Sequence, residues 1–500
     1  MNKLVRFIVL ATLPALVGSC GKDYLNTAPT DRVASDNIFA SLESATTAVN
    51  GIYRYMFSRT TLPVNRDQNK PGVGGIMLAM DFMGEDLGIS SGSWYTTTGE
   101  GNWVGHRNES DDVPLYYYRT FYKIIGDANF ILDNTNNLNA TEEQRNNLIS
   151  QAYILRAYAY TYLVQLFGKR YSGSAQNSQP GVPLVLKSTD GALPRSTVEE
   201  VYAAIVKDLD AAIALNIESR KNKSQANVDV AIGLRARVAL LMQDHDKAIE
   251  CAKKLISNSA YKLMSREEYL KGFNDASALS EFIWASMPTA DQDYVFASYF
   301  SQIGYNANTT FMRNNPKRIN AALYDRISAT DVRKSIWEPN PTAANFPLPL
   351  ASFVRQPYMS RKFAVKAEGG TLGDVPLLRL SEMYLIAAES YVERDQDNLA
   401  QDMLFEFMKI RDPQATRTTK LGQALTAEIL IQRRIELWGE GFRFLDLKRL
   451  NQSLDRTGVP NFVSASVSGL MEVPAGDKRW ECLFPRIELD ANPNIVQNDI

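Results

Sequence analysis

The sequence predicts a mostly α-helical protein, a single body built on tetratricopeptide-like αα-hairpins with long irregular loops and a few short strands. Apolar residues recur at three- and four-residue steps through several long segments, which is typical of helices that bury one face. Short polar turns join some of these segments into pairs, and two long stretches lack any period. With 45% hydrophobic and 22% charged residues, the chain has the composition of a folded globular protein.

Residues 1–19 have the pattern of a lipoprotein-type signal peptide. Two basic residues precede an apolar run at 7–17, which is too short to cross a hydrocarbon layer of about 30 Å. The sequence Val-Gly-Ser-Cys at 17–20 resembles the lipobox that bacterial lipoprotein signal peptidase cleaves. Cys20 is therefore the expected lipid anchor, with acyl chains such as palmitate in the membrane and residues 21–29 as a polar tether. An ordinary cysteine beside a cleavage site is the alternative.

Two long helices are expected in the N-terminal half. The first spans 141–168, where Thr141 and Gln144 match a capping box and apolar residues line one face. The second begins where Ser196 and Glu199 repeat the same capping pattern. A loop rich in glycine, serine and proline separates the two helices.

Helix pairs follow further along the chain. The segments 228–242 and 246–257 are joined by a short polar turn, and the small alanines of the second segment resemble those of a tetratricopeptide helix. A similar pair occupies 376–393 and 398–410. We interpret these pairs as one αα-hairpin scaffold with diverged repeats rather than a regular array.

Two irregular regions, 60–118 and 285–370, are expected to carry the recognition surface, because long loops inside a compact fold are usually functional. The stretch 88–105 combines aromatic rings with Ser, Thr, Gly and Asn, a composition suited to sugar rings and their hydroxyls. Rings folded into the core are the alternative. The candidate ligand-binding residues are Trp94, Tyr95, Asn102 and Trp103 in the first region, and Tyr299 and Trp337 in the second.

Composition argues against several classes of function. Lys+Arg number 54 and Asp+Glu 56, a formal charge of −2, so no basic field exists to hold nucleic acid. With 3 Cys and 2 His the chain does not suit a zinc site, and no cofactor or metal is expected. Whether Cys251 and Cys482 pair stays open. Two acidic clusters are expected to be solvated turns rather than calcium sites. They are Asp81, Glu85 and Asp86, and Glu109, Asp111 and Asp112.

Charged residues also recur at three- and four-residue steps near the C-terminus, in Glu436, Glu440, Arg443 and Asp446. This spacing favours ion pairs that hold a scaffold together. Acid/base chemistry by two carboxylates would need one raised pKa and an open pocket. Nucleophile-elbow and phosphate-loop motifs are absent, so no catalytic residue is expected. Trp438, within the same motif, is expected in the core.

Three passages resemble the signature of the SusD-like (RagB/SusD) family, nutrient-uptake lipoproteins of the bacterial outer membrane. They are VPLLRLSEMYLIAAES at 375–390, QRRIELWGEGFRFLDLKR at 432–449, and FPRIEL at 484–489 followed by Asn492-Pro493 and Gln497-Asn498. Single departures from the family pattern are Arg433, Phe444 and Arg486. Further landmarks upstream extend the resemblance over nearly the whole mature chain.

The resemblance implies one SusD-like body in which an N-terminal region, 20–225, packs with a RagB/SusD C-terminal region, 226–500. It also implies a lipoprotein anchored at the outer membrane, on the extracellular face, that binds oligomeric nutrients, foremost glycans and otherwise peptides. Such a protein delivers its ligand to a TonB-dependent, SusC-like outer-membrane transporter without catalysis. The residues themselves leave two alternatives, a tetratricopeptide-type assembly lipoprotein and a glycoside hydrolase.

Overall fold

The computed structural model describes residues 38–62, 68, 70–88, 99–462 and 464–500. The described residues form sixteen α-helices and ten short strands, so the predicted mostly-α class is confirmed. The predictions for the leader and tether, and for Cys20, Trp94 and Tyr95, lie outside the described residues.

The α-helices are numbered here in chain order. They are α1 Leu42–Phe57, α2 Gly72–Phe82, α3 Asp112–Asn134, α4 Glu142–Phe167, α5 Val198–Leu215, α6 Val228–Met242, α7 His245–Ile256, α8 Arg266–Tyr269, α9 Tyr299–Ile303, α10 Thr310–Asn314, α11 Ala321–Tyr324, α12 Leu380–Val392, α13 Asp397–Arg411, α14 Gly422–Glu436, α15 Arg443–Arg449 and α16 Arg486–Ala491.

The strands are short, and all their pairings are antiparallel. They are β1 Leu87–Gly88, β2 Pro180–Pro183, β3 Arg195–Thr197, β4 Phe282–Ser286, β5 Arg318–Ile319, β6 Trp337–Glu338, β7 Met359–Ser360, β8 Val375–Arg379, β9 Leu454–Asp455 and β10 Glu472–Val473. One sheet has the order β1-β5-β7-β6, and the pairs β2-β3, β4-β8 and β9-β10 form separate ladders.

The long helices pack in sequence, each against the next. Helix α3 packs on α4, α4 on α5, α5 on α6, α6 on α7, α7 on α12, and α12 on α13 and α14. The predicted hairpins α6–α7 and α12–α13 therefore belong to one continuous helical array. Buried apolar side chains form a core cluster that extends from α1 to the C-terminal tail.

Local capping signals set the helix starts, with one correction. The capping box of Thr141 and Gln144 is present in both directions at the start of α4, as predicted. The second box uses Thr197 and Glu200, one residue later than predicted. Ser196 lies within strand β3, whose ladder with β2 runs up to the helix.

Two elements depart from their sequence patterns for the same reason. The helix predicted to begin near 376 begins at Leu380, because 375–379 is a fully buried strand paired with β4. Helix α2 lies in the first region assigned as irregular, and every one of its residues is buried. An element that is buried on all sides shows no alternation between apolar and polar faces, so periodicity cannot reveal it.

The first acidic cluster is buried, so the prediction of a solvated turn is wrong there. The carboxylate of Asp81 accepts hydrogen bonds from the backbone N–H groups of Gly441 and Arg443, at 2.8 and 3.2 Å. Glu85 pairs with the Arg443 side chain, and Asp86 pairs with Arg434. The cluster joins α2 and the residues that follow it to α14 and α15.

The two described cysteines are unpaired and buried. Burial raises the pKa of the Cys251 thiol to about 11 and that of Cys482 to about 12. Both therefore stay protonated near neutral pH and act as small apolar core residues.

Candidate binding surface

Three of the predicted ligand-contact rings belong to the core, which corrects their expected role as sugar platforms. Trp103 donates its indole N–H to the carbonyl of Met83 at 2.9 Å, and its ring packs edge-on against Trp480. Tyr299 and Trp337 are likewise buried among other rings. At 1 to 3% exposure, none of the three rings presents a face on which a sugar could stack. Trp438 is buried too, as predicted.

Asn102 is half-buried, and its side-chain oxygen accepts a hydrogen bond from the backbone N–H of Val104 at 3.4 Å. Its contact with a ligand stays a prediction. Trp103 adopts a left-handed backbone conformation with φ of 57°. This turn directs the chain inward immediately after Asn102, so the aromatic loop ends in a side chain anchored in the core.

Arg456 fixes both ends of the segment that carries the predicted aromatic loop. Its buried guanidinium donates to the carbonyls of Phe82, Gly84, Gly101 and Leu470, at 2.6 to 3.0 Å. Burial without a carboxylate partner lowers the pKa of Arg456 to about 9. The guanidinium remains protonated near neutral pH, because its N–H groups are the donors for these buried carbonyl oxygens. The backbone on either side of residues 85–100 is therefore held at Gly84 and at Gly101.

The second irregular region carries an exposed apolar run that the sequence analysis did not single out. Tyr294, Val295 and Phe296 are 36%, 53% and 47% exposed, the single place in the described ranges where three consecutive large apolar residues are exposed. Their backbone is fixed, since the Gln302 side chain donates to the carbonyl of Phe296 at 3.1 Å. Asp293, just before the run, accepts a hydrogen bond from the Thr371 hydroxyl at 2.6 Å.

Tyr294 lines a narrow slot that adjoins a wider, polar cleft. The cleft has a volume of about 210 Å³ and lies between α1, the turn at 221–225 and the end of β4. Slot and cleft share Met56, Phe57, Ser286 and Gln292 in their walls. The polar residues that line the cleft are Asn50, Tyr53, Arg54, Lys221, Asn222, Ser224, Gln225, Ser286, Thr289 and Gln292.

The chemistry of this cleft is that of neutral amides and hydroxyls with two cations at its edge. Gln225 donates to the Asn50 side chain at 3.2 Å, which sets the orientation of both amides. Burial raises the pKa of Tyr53 above its usual range, and its hydroxyl donates to Gln151 at 2.8 Å. No carboxylate stands among the described lining residues of the cleft. The described lining therefore does not supply the carboxylate pair that most glycoside hydrolases use.

The described residues hold no group of three or more His, Cys, Asp or Glu side chains positioned to bind a metal ion. Within the same ranges, no helix has the length and apolar character needed to span a bilayer.

Two family profiles match the chain. One, described as "starch-binding associating with outer membrane", matches residues 81–240, and the other, described as the SusD family, matches residues 296–499. Together they cover more than two thirds of the 500 residues. The chain belongs to the SusD/RagB family. In this SusD/RagB chain the exposed run at 294–296 borders the start of the second match.

This SusD/RagB chain is 25% identical to SusD-like protein P2 of Formosa agariphila, over 99% of this chain and 98% of that protein. A solved SusD-like carbohydrate-binding protein from Bacteroides vulgatus is 24% identical with a TM-score of 0.76, covering 91% of this chain and 97% of its own. A laminarin-binding SusD-like protein is 19% identical with a TM-score of 0.68, covering 92% and 99%. The structural likenesses establish the SusD-like fold.

Proposed function

We propose that this protein is a cell-surface lipoprotein that binds oligosaccharides and passes them to a TonB-dependent, SusC-like outer-membrane transporter without cleaving them. The observation that carries the proposal is the exposed run at 294–296 beside an amide-lined cleft with no carboxylate among its described lining residues. Its SusD/RagB membership supports a role in nutrient capture, and two solved relatives of this fold are described as carbohydrate-binding and laminarin-binding.

The surface has the two kinds of group that oligosaccharides need. Aromatic side chains such as Tyr294 and Phe296 provide flat apolar areas for the C–H faces of sugar rings. The amides of Asn50, Asn222 and Gln225 donate and accept hydrogen bonds at once, as sugar hydroxyls do. Binding through neutral groups holds a glycan without activating a glycosidic bond.

Aromatic stacking is tested by the double variant Tyr294→Ala/Phe296→Ala, titrated by calorimetry against a panel of oligosaccharides. We expect affinity to fall about tenfold or more, because both apolar platforms are lost. Leu421→Ala is the matched control, since Leu421 is an exposed apolar residue, 60% accessible, at the start of α14. Wild-type affinity in the double variant would contradict the placement of the site. Shortened products after long incubation of the wild type with the best ligand would contradict the absence of catalysis.

The lipid anchor is tested by Cys20→Ala. Acyl chains on the thiol and the amino group of Cys20 would attach the mature protein to the membrane. More than one chain is sufficient for stable anchoring. The variant is therefore expected in the soluble fraction of cells, with oligosaccharide affinity equal to that of the wild type. Retention of the variant in the outer membrane would show that another segment anchors the chain. Loss of affinity would show that the N-terminal segment belongs to the binding surface.

A further inference from the structure

A second cleft, of about 490 Å³, shares no lining residue with the slot or the amide-lined cleft. It lies between α8, the turn at 329–335, strand β6 and the residues that follow β7. We refer to it as the basic cleft, because three cationic side chains line it. They are Arg266, Lys334 and Arg361.

These three cations are held by neutral groups. Lys334 donates to the carbonyls of Tyr324 and Ile327, at 2.9 and 3.0 Å, and its Nζ lies 3.9 Å from the centre of the Tyr324 ring. Arg361 donates to the carbonyl of Asn345 at 2.9 Å. Arg266 donates to two backbone carbonyls. None of the three forms an ion pair with a carboxylate of the described chain.

The two acids in the wall offset only part of this charge. Asp331 is buried, and its carboxylate is paired with Arg333 at 2.7 Å, so that pair is neutral. Glu338 accepts a hydrogen bond from the backbone N–H of Asn340 at 3.0 Å. Desolvation lowers the pKa of Lys334 and of Arg361 from their usual values. The basic cleft therefore carries excess positive charge in a partly dehydrated setting, where electrostatic attraction is strong.

Two buried N–H donors in the same wall have no acceptor among the described residues. These are the indole Nε1 of Trp337 and the Nε of Arg361. Buried donors without acceptors are rare in folded proteins, and each costs free energy until an acceptor arrives. Two such donors beside three cations match a ligand group that only accepts hydrogen bonds and carries negative charge.

We propose that the basic cleft binds an oxyanion, the carboxylate or sulfate ester of an acidic sugar, through Arg361, Lys334 and the indole N–H of Trp337. A cleft of about 490 Å³ has the size of a small-ligand site. The anion site follows from the geometry alone, whereas the sugar that carries the anion rests on the proposed function. Charge-assisted hydrogen bonds supply the selectivity over neutral sugars.

The site is tested by calorimetric titration of the full mature protein with sodium sulfate, sodium glucuronate and glucose, at constant ionic strength set with chloride. We expect sulfate and glucuronate to bind and glucose to give no signal at this cleft. Arg361→Gln is expected to weaken both anions about tenfold or more, because one charged fork is lost. Arg326→Gln is the matched control, since Arg326 is exposed and does not line the cleft. Equal affinity in Arg361→Gln and the wild type would overturn the proposal.

Trp337→Phe separates a ligand role from a structural one. The variant keeps an aromatic ring in the core, and it removes a donor that bonds no acceptor in the described chain. We expect the affinity for sulfate to fall several-fold while the thermal midpoint of the ligand-free protein stays within a few degrees of the wild type. Unchanged affinity would overturn the role of the indole. If Arg361→Gln fails to fold, Lys334→Met removes a positive charge from the same cleft and is titrated with the same anions.

The outcomes also distinguish this proposal from the proposed function. Sulfate binding without glucuronate binding would support the anion site and overturn an acidic sugar as its ligand. Loss of neutral oligosaccharide binding in Tyr294→Ala/Phe296→Ala, with sulfate binding intact, would support two independent sites. Failure of every ion to bind more tightly than chloride would overturn the anion site and leave the amide-lined cleft unaffected.

Discussion

Replacing Glu436 by glutamine is expected to lower the free energy of unfolding by about 3–5 kcal/mol, because it removes a carboxylate that three buried arginines share and leaves their cluster with excess positive charge. The Glu436 carboxylate lies 3.1 Å from Arg379, 3.0 Å from Arg411 and 3.5 Å from Arg333. All four side chains are excluded from solvent. Glutamine has nearly the same shape, so the loss reports charge rather than packing.

The pH dependence of this loss has a definite sign. Burial alone would raise the pKa of Glu436, but Arg411, Arg379 and Arg333 outweigh burial and hold the pKa below its usual range. The unfolded chain therefore binds a proton at higher pH than the folded chain does. The contribution of Glu436 is fully present above the unfolded pKa of about 4.3 and is lost as the pH falls through the lower folded value. The gap between Glu436→Gln and the wild type should narrow on acidification.

Urea unfolding followed by circular dichroism, at about pH 7 and again near pH 3.5, measures both effects. Glu250→Gln is the control, because the Glu250 side chain is 66% exposed and pairs with Lys247 on the surface. An exposed pair of this kind contributes at most about 1 kcal/mol. A loss below that value in Glu436→Gln would mean that the arginines find other partners or water when the charge is removed.

The same network confirms the predicted ion pairs near the C-terminus and shows that their partners could not be predicted from spacing. The spacing of Glu436, Glu440, Arg443 and Asp446 indicated ion pairs, and each of these residues does form them. Other partners come from different elements, however: Glu440 meets Arg379, and Asp446 meets Arg433. The pair of Asp446 with Arg449 lies within α15. Spacing along a helix identifies charges on one face, but it carries no information about which element packs against that face.

Local signals fixed the helices that have a capping box, an exposed face or a polar turn at one end. The capping box at Thr141, the exposed faces of α7 and α13, and the polar turn between the almost wholly buried α6 and α7 depend on neighbours in sequence, and the structure places these helices within a residue or two of the prediction. Helix α2 and strand β8 are buried on every side, so tertiary packing alone determines them. Only knowledge of the whole fold would have revealed either one.

For two of the predicted rings, residue type did not indicate exposure. The irregular segments around Trp103 and Trp337 favour exposed rings, yet both side chains are buried in the core. The exposed Tyr294 and Phe296 lie in the same second region, within the polar context Asp-Gln-Asp that precedes them. The available sequence signal for exposed rings was a short apolar run that follows acidic and amide residues and lacks a helical period.

Replacing Arg456 by methionine is expected to destabilise the protein by at least about 3 kcal/mol, because several buried carbonyls lose their only charged donor at once. The guanidinium bonds the carbonyls of Phe82, Gly84, Gly101 and Leu470. Methionine fills a similar volume but donates nothing. Arg456→Lys should be intermediate, since one ammonium group cannot reach four oxygens in a planar fork.

This variant also tests whether the fixed ends of the 85–100 segment matter for binding. If the predicted contacts of Trp94 and Tyr95 hold, freeing Gly84 and Gly101 should lower oligosaccharide affinity and speed amide exchange around both glycines, under conditions where the variant is still folded. Arg417→Met is the control, because Arg417 is a partly exposed residue paired with Asp402. Faster exchange with unchanged affinity would place the ligand entirely on the surface around Tyr294. Unchanged exchange and stability would show that water replaces the guanidinium, and that the segment is held by Trp103 and the β1-β5 ladder instead.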